Sequence, residues 1–116
     1  MKSCAKAVAF WRNEQSAMRR EVRETFAAKR DRLDIWLYIA NDSIRAADTL
    51  IADILQTSRR LSDFPESAQP RPDLGNGIRS IPIANYIIFY RFDPEAIHVL
   101  RILHAARDIT PDLLAE

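Results

Sequence analysis

The chain has 116 residues, 47% of them hydrophobic and 28% charged, with a formal net charge of +1. This is the composition of one ordinary globular domain with one core, and so small a net charge makes no case for bulk attraction to nucleic acid or membrane. The single cysteine, Cys4, excludes an internal disulfide framework and a cysteine-rich metal site, and no apolar run approaches the ~20 residues of a membrane span.

Residues 1–18 are weakly patterned and read as an N-terminal extension or arm ahead of a single domain over 19–116. The start "MKSCAKAVAFW" has the outline of a secretory signal, but Lys6 interrupts its apolar stretch and no small-residue cleavage site follows convincingly. "MRREVRET" holds a short strand around 20–25. Val22 suits a buried face there; Glu24, two residues on and on the same face, does not. "AAKRDRLDIWLYIAND" predicts a helix over 27–42, with Ala28, Ile35 and Ile39 on a face shared with Trp36. Asp31 and Asp34, beside Lys29, Arg30 and Arg32, read as its solvated side. Asn41, Asp42 and Ser43 break the helix, and Asp42 or Ser43 caps a second one over about 44–62. In that helix Ala47, Leu50, Ile51, Ile54, Leu55 and Leu61 recur at helical spacing. Residues 63–77, with three prolines and both glycines of the chain, form a loop; Gly75, Asn76 and Gly77 make a turn with no phosphate-binding Lys-Ser/Thr after it.

The remainder is strand-like: 78–83, with Pro82 at an edge or bend, then 85–92 and 96–104 joined by Asp93, Pro94 and Glu95. Helices grouped ahead of a meander predict an α+β fold, an antiparallel sheet with a helical hairpin packed on one face. Alternation places Tyr86, Ile88 and Tyr90 on one face and Ile87 and Phe89 on the other. In the last strand it sets His98, Leu100 and Ile102 against Ile97, Val99, Arg101 and Leu103. Both faces are largely apolar, yet two helices cover only one. The chain's own termini, a second copy or another protein must cover the second.

The same residues carry a family resemblance. Gly77-Ile78-Arg79, Tyr90-Arg91 and Leu103-His104-Ala105-Ala106-Arg107-Asp108 resemble the C-terminal motifs of ParE-type toxins in the ParE/RelE superfamily of bacterial toxin–antitoxin systems. Upstream, Ala28, Asp31, Ile35, Tyr38, Ile39, Ala40, Ala46 and Ala47 are similar to that family's helical signature. The resemblance covers roughly 19–110 and departs from the pattern at Glu24, Arg32 and Ala105. Ala105 stands where a glycine is usual, a substitution costing about 1 kcal/mol if the backbone there needs a positive φ.

The resemblance implies a RelE/ParE-like fold and a cytoplasmic toxin that inhibits DNA gyrase by protein binding. It implies neutralisation by a ParD-like antitoxin in a hetero-oligomer, with no cofactor and no direct nucleic-acid binding by the toxin alone. Ile87, Phe89, Val99, Leu103 and Trp36 are then the expected antitoxin-binding residues, and Arg107, His104, Arg101, Arg91 and Arg79 the target-binding set. The alternatives are a RelE-like ribosome-dependent ribonuclease and a decayed toxin that retains only antitoxin binding. A ribonuclease needs a base, a phosphate clamp and an acid, and the residues available are His104, Arg79 and Arg107. The bland reading makes His104, Arg107 and Asp108 a charge-paired turn. His98 and His104 have no third ligand, so no metal is expected.

Overall fold

The computed structural model describes residues 20–115. The expected arm over 1–18 lies outside the described residues. The elements are β1 (Glu21–Glu24), α1 (Phe26–Ala40), α2 (Ile44–Asp63), β2 (Gln69–Pro70), β3 (Arg79–Ile83), β4 (Tyr86–Phe92), β5 (Ala96–His104) and a terminal 3-10 turn (Pro111–Leu114). Two helices and a five-stranded sheet make the expected α+β fold. The strand order is β1-β5-β4-β3-β2. β2 to β5 pair antiparallel, whereas β1 pairs parallel with β5, so the sheet is mixed. β2 falls within the stretch expected to be loop.

Local chemistry sets the helix boundaries. Thr25 accepts the Ala28 N–H and caps α1; Ser43 accepts the Ala46 N–H and caps α2. Trp36 donates its indole N–H to Asp48 (2.8 Å), tying the hairpin together. Ala28 and Ile35 of α1, with Ile54 and Leu61 of α2, pack on Tyr86, Ile88, Tyr90, Ile97, Val99 and Ile102. This is the main core.

The second face is not open. Phe89, Leu100 and Leu103 form a separate core with Leu74 and Ile78 of the loop before β3 and Leu114 of the terminal turn, with Ile87, Ile109 and Leu113 packed against it. The chain covers its own sheet from both sides. Gly77 permits that loop, because its φ of +79° is a left-handed conformation that side chains resist.

One irregularity reverses the expected facing of β5. Tyr90 pairs with Val99 and Phe89 with Arg101, so Leu100 is an extra residue, a β-bulge. Beyond it the alternation flips: Ile97 and Val99 face the helices, as does Ile102, while Leu100 and Leu103 face away. The strict alternation that grouped Val99 with Leu103 fails at this residue.

Two family departures answer each other. Arg32 donates through Nε (3.0 Å) and a terminal nitrogen (2.8 Å) to the two carboxylate oxygens of Glu24. The side chains are 31% and 14% exposed, and the carboxylate raises the Arg32 pKa above its ordinary value, against some burial. Glu24 is thus tolerated on β1 because Arg32 lies over it. Ala105 does not have a positive φ; among the described non-glycine residues only Ala84, in the β3–β4 turn, does (φ 53°). The cost attached to Ala105 therefore does not arise.

Candidate functional site

The five arginine and histidine positions expected to meet a target do not converge. Arg79 donates to the carbonyls of Ala68 (2.8 Å) and Glu66 (3.3 Å) and lies over the Phe92 ring. It anchors the loop before β3. Arg91 is exposed and pairs in register with His98, whose Nε2 meets Asp93 at 2.9 Å. His98 lies six residues, roughly 20 Å of extended strand, from His104 on β5. Asp93 also accepts the N–H groups of Glu95 and Ala96. The hydrogen bond from His98, followed by those from Glu95 and Ala96, lowers its pKa to about 2.

Arg101 is engaged inside the protein. It donates through Nε (2.7 Å) and a terminal nitrogen (2.9 Å) to both oxygens of Asp31, and through its other terminal nitrogen to the Leu113 carbonyl (3.0 Å). Asp31 also accepts the Ile102 N–H at 3.0 Å. Asp31 is therefore not part of a solvated face, and Arg101 is not free to meet a target. The Asp31 hydrogen bond raises the Arg101 pKa, against the effect of burial.

His104 and Arg107 remain together at one rim of the sheet, both exposed. Ala105 N–H bonds the Asn85 carbonyl (2.8 Å) and Arg107 N–H the His104 carbonyl (3.0 Å), which closes the turn. The His104 ring stacks edge-on against Tyr86, centroids 5.2 Å apart, and its Nδ1 accepts the Ala106 N–H at 3.0 Å. That hydrogen bond assigns the neutral tautomer: the ring proton is on Nε2, which is left as a donor. Burial, then the neighbouring Tyr38, pushes the Tyr86 phenol above its ordinary pKa. The Arg107–Asp108 ion pair of the charge-paired turn does not form among the described residues, and the Arg107 fork is unpartnered there.

The residues expected to hold an antitoxin are mostly interior. Phe89 and Val99 are fully buried, in different cores, and Leu103 is buried beside Phe89. Ile87 is half-buried, and Trp36 is bonded to Asp48. Four of the large exposed apolar side chains lie instead on α1, Phe26 (78% exposed), Leu33 (56%), Leu37 (54%) and Tyr38 (76%), while Ile44, Leu55 and Phe64 are exposed along α2 and at its C-terminal cap. Phe26, Leu33 and Leu37 are separated by seven and four residues and so form one stripe. Phe26 also lines an apolar groove of about 420 Å³ with Thr25, Ala27, Leu100 and Ala115. The sequence reading missed this stripe; the signal that could have found it is that α1 carries more apolar residues than one face accommodates.

A groove of about 600 Å³ between β1 and α2 is lined by Val22, Arg23, Glu24, Lys29, Leu55, Ser58 and Arg59, away from the His104 rim. Among the described residues no group of three or more His, Cys, Asp or Glu is arranged to hold a metal ion, and no helix is long and apolar enough to cross a membrane.

Residues 22–109 match the family described as the ParE toxin of the type II toxin–antitoxin system parDE. Toxin ParE3 of Caulobacter vibrioides is 29% identical over 73 residues, which span 63% of this chain and 73% of that protein. In fold the chain is similar to a structure of the chromosomal ParDE system of P. aeruginosa, with a TM-score of 0.63, 21% identity and coverage of 76% of this chain and 97% of that one. It is similar also to the RelBE2 toxin–antitoxin complex of Mycobacterium tuberculosis, with a TM-score of 0.57, 22% identity and coverage of 78% and 95%. The mixed sheet, the helical hairpin and the Leu103-to-Asp108 motif at its rim are the features of a toxin fold, and this chain belongs to the ParE toxin family of type II toxin–antitoxin systems.

Proposed function

We propose that this toxin acts in the cytosol by binding DNA gyrase through the rim that carries His104 and Arg107, and that a ParD-like antitoxin neutralises it by docking along α1. The observation that carries binding over catalysis is the state of the rim. Arg107 offers a planar fork with no partner among the described residues, suited to carboxylate or phosphate. His104 has Nδ1 occupied and its proton on Nε2, which makes it a donor and a poor general base. Tyr86, its aromatic neighbour, is held further from ionisation by burial. Arg79, the other clamp a ribonuclease would use, is bonded to backbone carbonyls away from His104. The exposed stripe of Phe26, Leu33 and Leu37 supports the antitoxin placement, because a partner's apolar helix or tail gains by covering it.

A supercoiling assay with purified gyrase, run beside an mRNA cleavage assay on ribosomes, tests the reading. Wild-type protein should inhibit supercoiling and leave mRNA intact. Arg107→Ala should abolish inhibition with fold and antitoxin binding retained, and His104→Gln should act more mildly. Cleavage of mRNA that His104→Gln lowers by about 10²-fold or more would replace this reading with a ribonuclease.

A further inference from the structure

We propose that Asp31, acting through Arg101, is the positioning residue that orders the rim and the C-terminal segment behind it. This deepens the proposed function and rests on the rim's facing the target. The bulge at Leu100 frees backbone groups that a regular ladder would pair. The start of α1 takes them up. Thr25 donates its hydroxyl to the Leu100 carbonyl (2.8 Å) while capping α1, and Asp31 accepts the Ile102 N–H. Asp31 also grips Arg101 with both oxygens, and the free arm of the same guanidinium reaches the Leu113 carbonyl.

One arginine therefore touches α1, the strand entering the rim and the turn leaving it. Between Arg101 and Leu113 the chain makes its excursion through His104 and Arg107, closed at one neck by this clamp. The pair is 12% and 19% exposed, so it is partly withdrawn from solvent, and its hydrogen bonds are charge-assisted. An apolar pair would fill the same space and pack as well, but would not join Leu113 to α1. A rim held in this way meets its target with less ordering cost than a free loop. Asp31 touches no target; it acts through Arg101.

Asp31→Asn keeps size and one acceptor but removes the charge. Arg101→Lys keeps charge but cannot span both Asp31 and Leu113. Hydrogen exchange, read residue by residue, should quicken at least tenfold at the Arg107 and Leu113 amides in either variant, with the amides of α2 unchanged. Growth inhibition should fall at least tenfold, while antitoxin affinity stays within about threefold. Unchanged exchange in both variants overturns the clamp. So does uniform acceleration through α2, or failure of both variants to fold, which would make the pair merely structural. Local acceleration with full growth inhibition overturns its role in positioning the rim. Should Arg107→Ala inhibit growth as the wild type does, the rim reading itself fails, and the exchange data alone then decide whether Asp31 orders the segment.

Discussion

Replacing Phe26, Leu33 and Leu37 together by Ala should separate antitoxin binding from stability. Each side chain is more than half exposed, so it contributes little to the fold, and changes at such surface sites usually stay within about 0.5 kcal/mol. Ala is also the better helix former. Melting temperature should therefore be nearly unchanged. Burying a whole Leu or Phe side chain is worth about 1.5–3 kcal/mol. Covering the exposed half or more of each of the three gives about 1 kcal/mol apiece, or about 10²-fold in affinity for the triple variant. Phe89→Ala is the control on the opposite side. Phe89 is fully buried in the second core, so the truncation should cost about 3–5 kcal/mol and lower the melting temperature by about 10–20 °C. Calorimetric titration with the cognate antitoxin and a thermal melt measure both. A folded triple variant that binds at wild-type affinity removes α1 as the docking face. A Phe89→Ala protein that melts normally but loses the antitoxin would return the groove to the second face of the sheet.

Three further outcomes follow from single features. Arg32→Ala strands a carboxylate that is only 14% exposed and should destabilise by about 1–3 kcal/mol, whereas Glu24→Leu with Arg32→Leu should be close to neutral; equal losses in urea melts of the two proteins would deny the pair its compensating role. Ala84 holds a φ of 53°, so Ala84→Gly should gain about 0.5–1 kcal/mol and a few degrees of melting temperature; a loss would mean the turn is not strained. Asp93 has its pKa lowered from 3.8 to about 2 in the folded protein, with His98 the largest cause. A carboxylate depressed by folding stabilises above its unfolded pKa, and that contribution disappears as pH falls through the folded value. Wild-type stability should thus drop faster than that of Asp93→Asn between about pH 4 and pH 2, and parallel urea titrations across that window would contradict the assignment.

The two helices and strands β1, β3, β4 and β5 were legible from the sequence because their signals are local, whereas the two-residue β2 read as loop. Ser43 stands where a cap is needed, prolines and glycines crowd 63–77, and Tyr86, Ile88 and Tyr90 alternate with Ile87 and Phe89. His104 and Arg107 were likewise visible, since they sit within one motif at a strand end. The family motifs, in their order along the chain, carried the fold. Tertiary structure decided what lies between distant residues. One inserted residue at Leu100 reverses which side chains of β5 face the helices, and no period-two pattern announces it. The cover on the second face comes from Leu74, Ile78 and Leu114, short apolar contributions scattered through loop and terminus with no periodicity of their own. Asp31 read as a solvated carboxylate because its neighbours on α1 are charged; its partner, Arg101, is 70 positions away. Charge alone does not say whether a side chain faces water, a partner or its own chain. Only the packing of α1 on β5 brings that carboxylate to the guanidinium, while the Arg107 fork keeps no partner among the described residues.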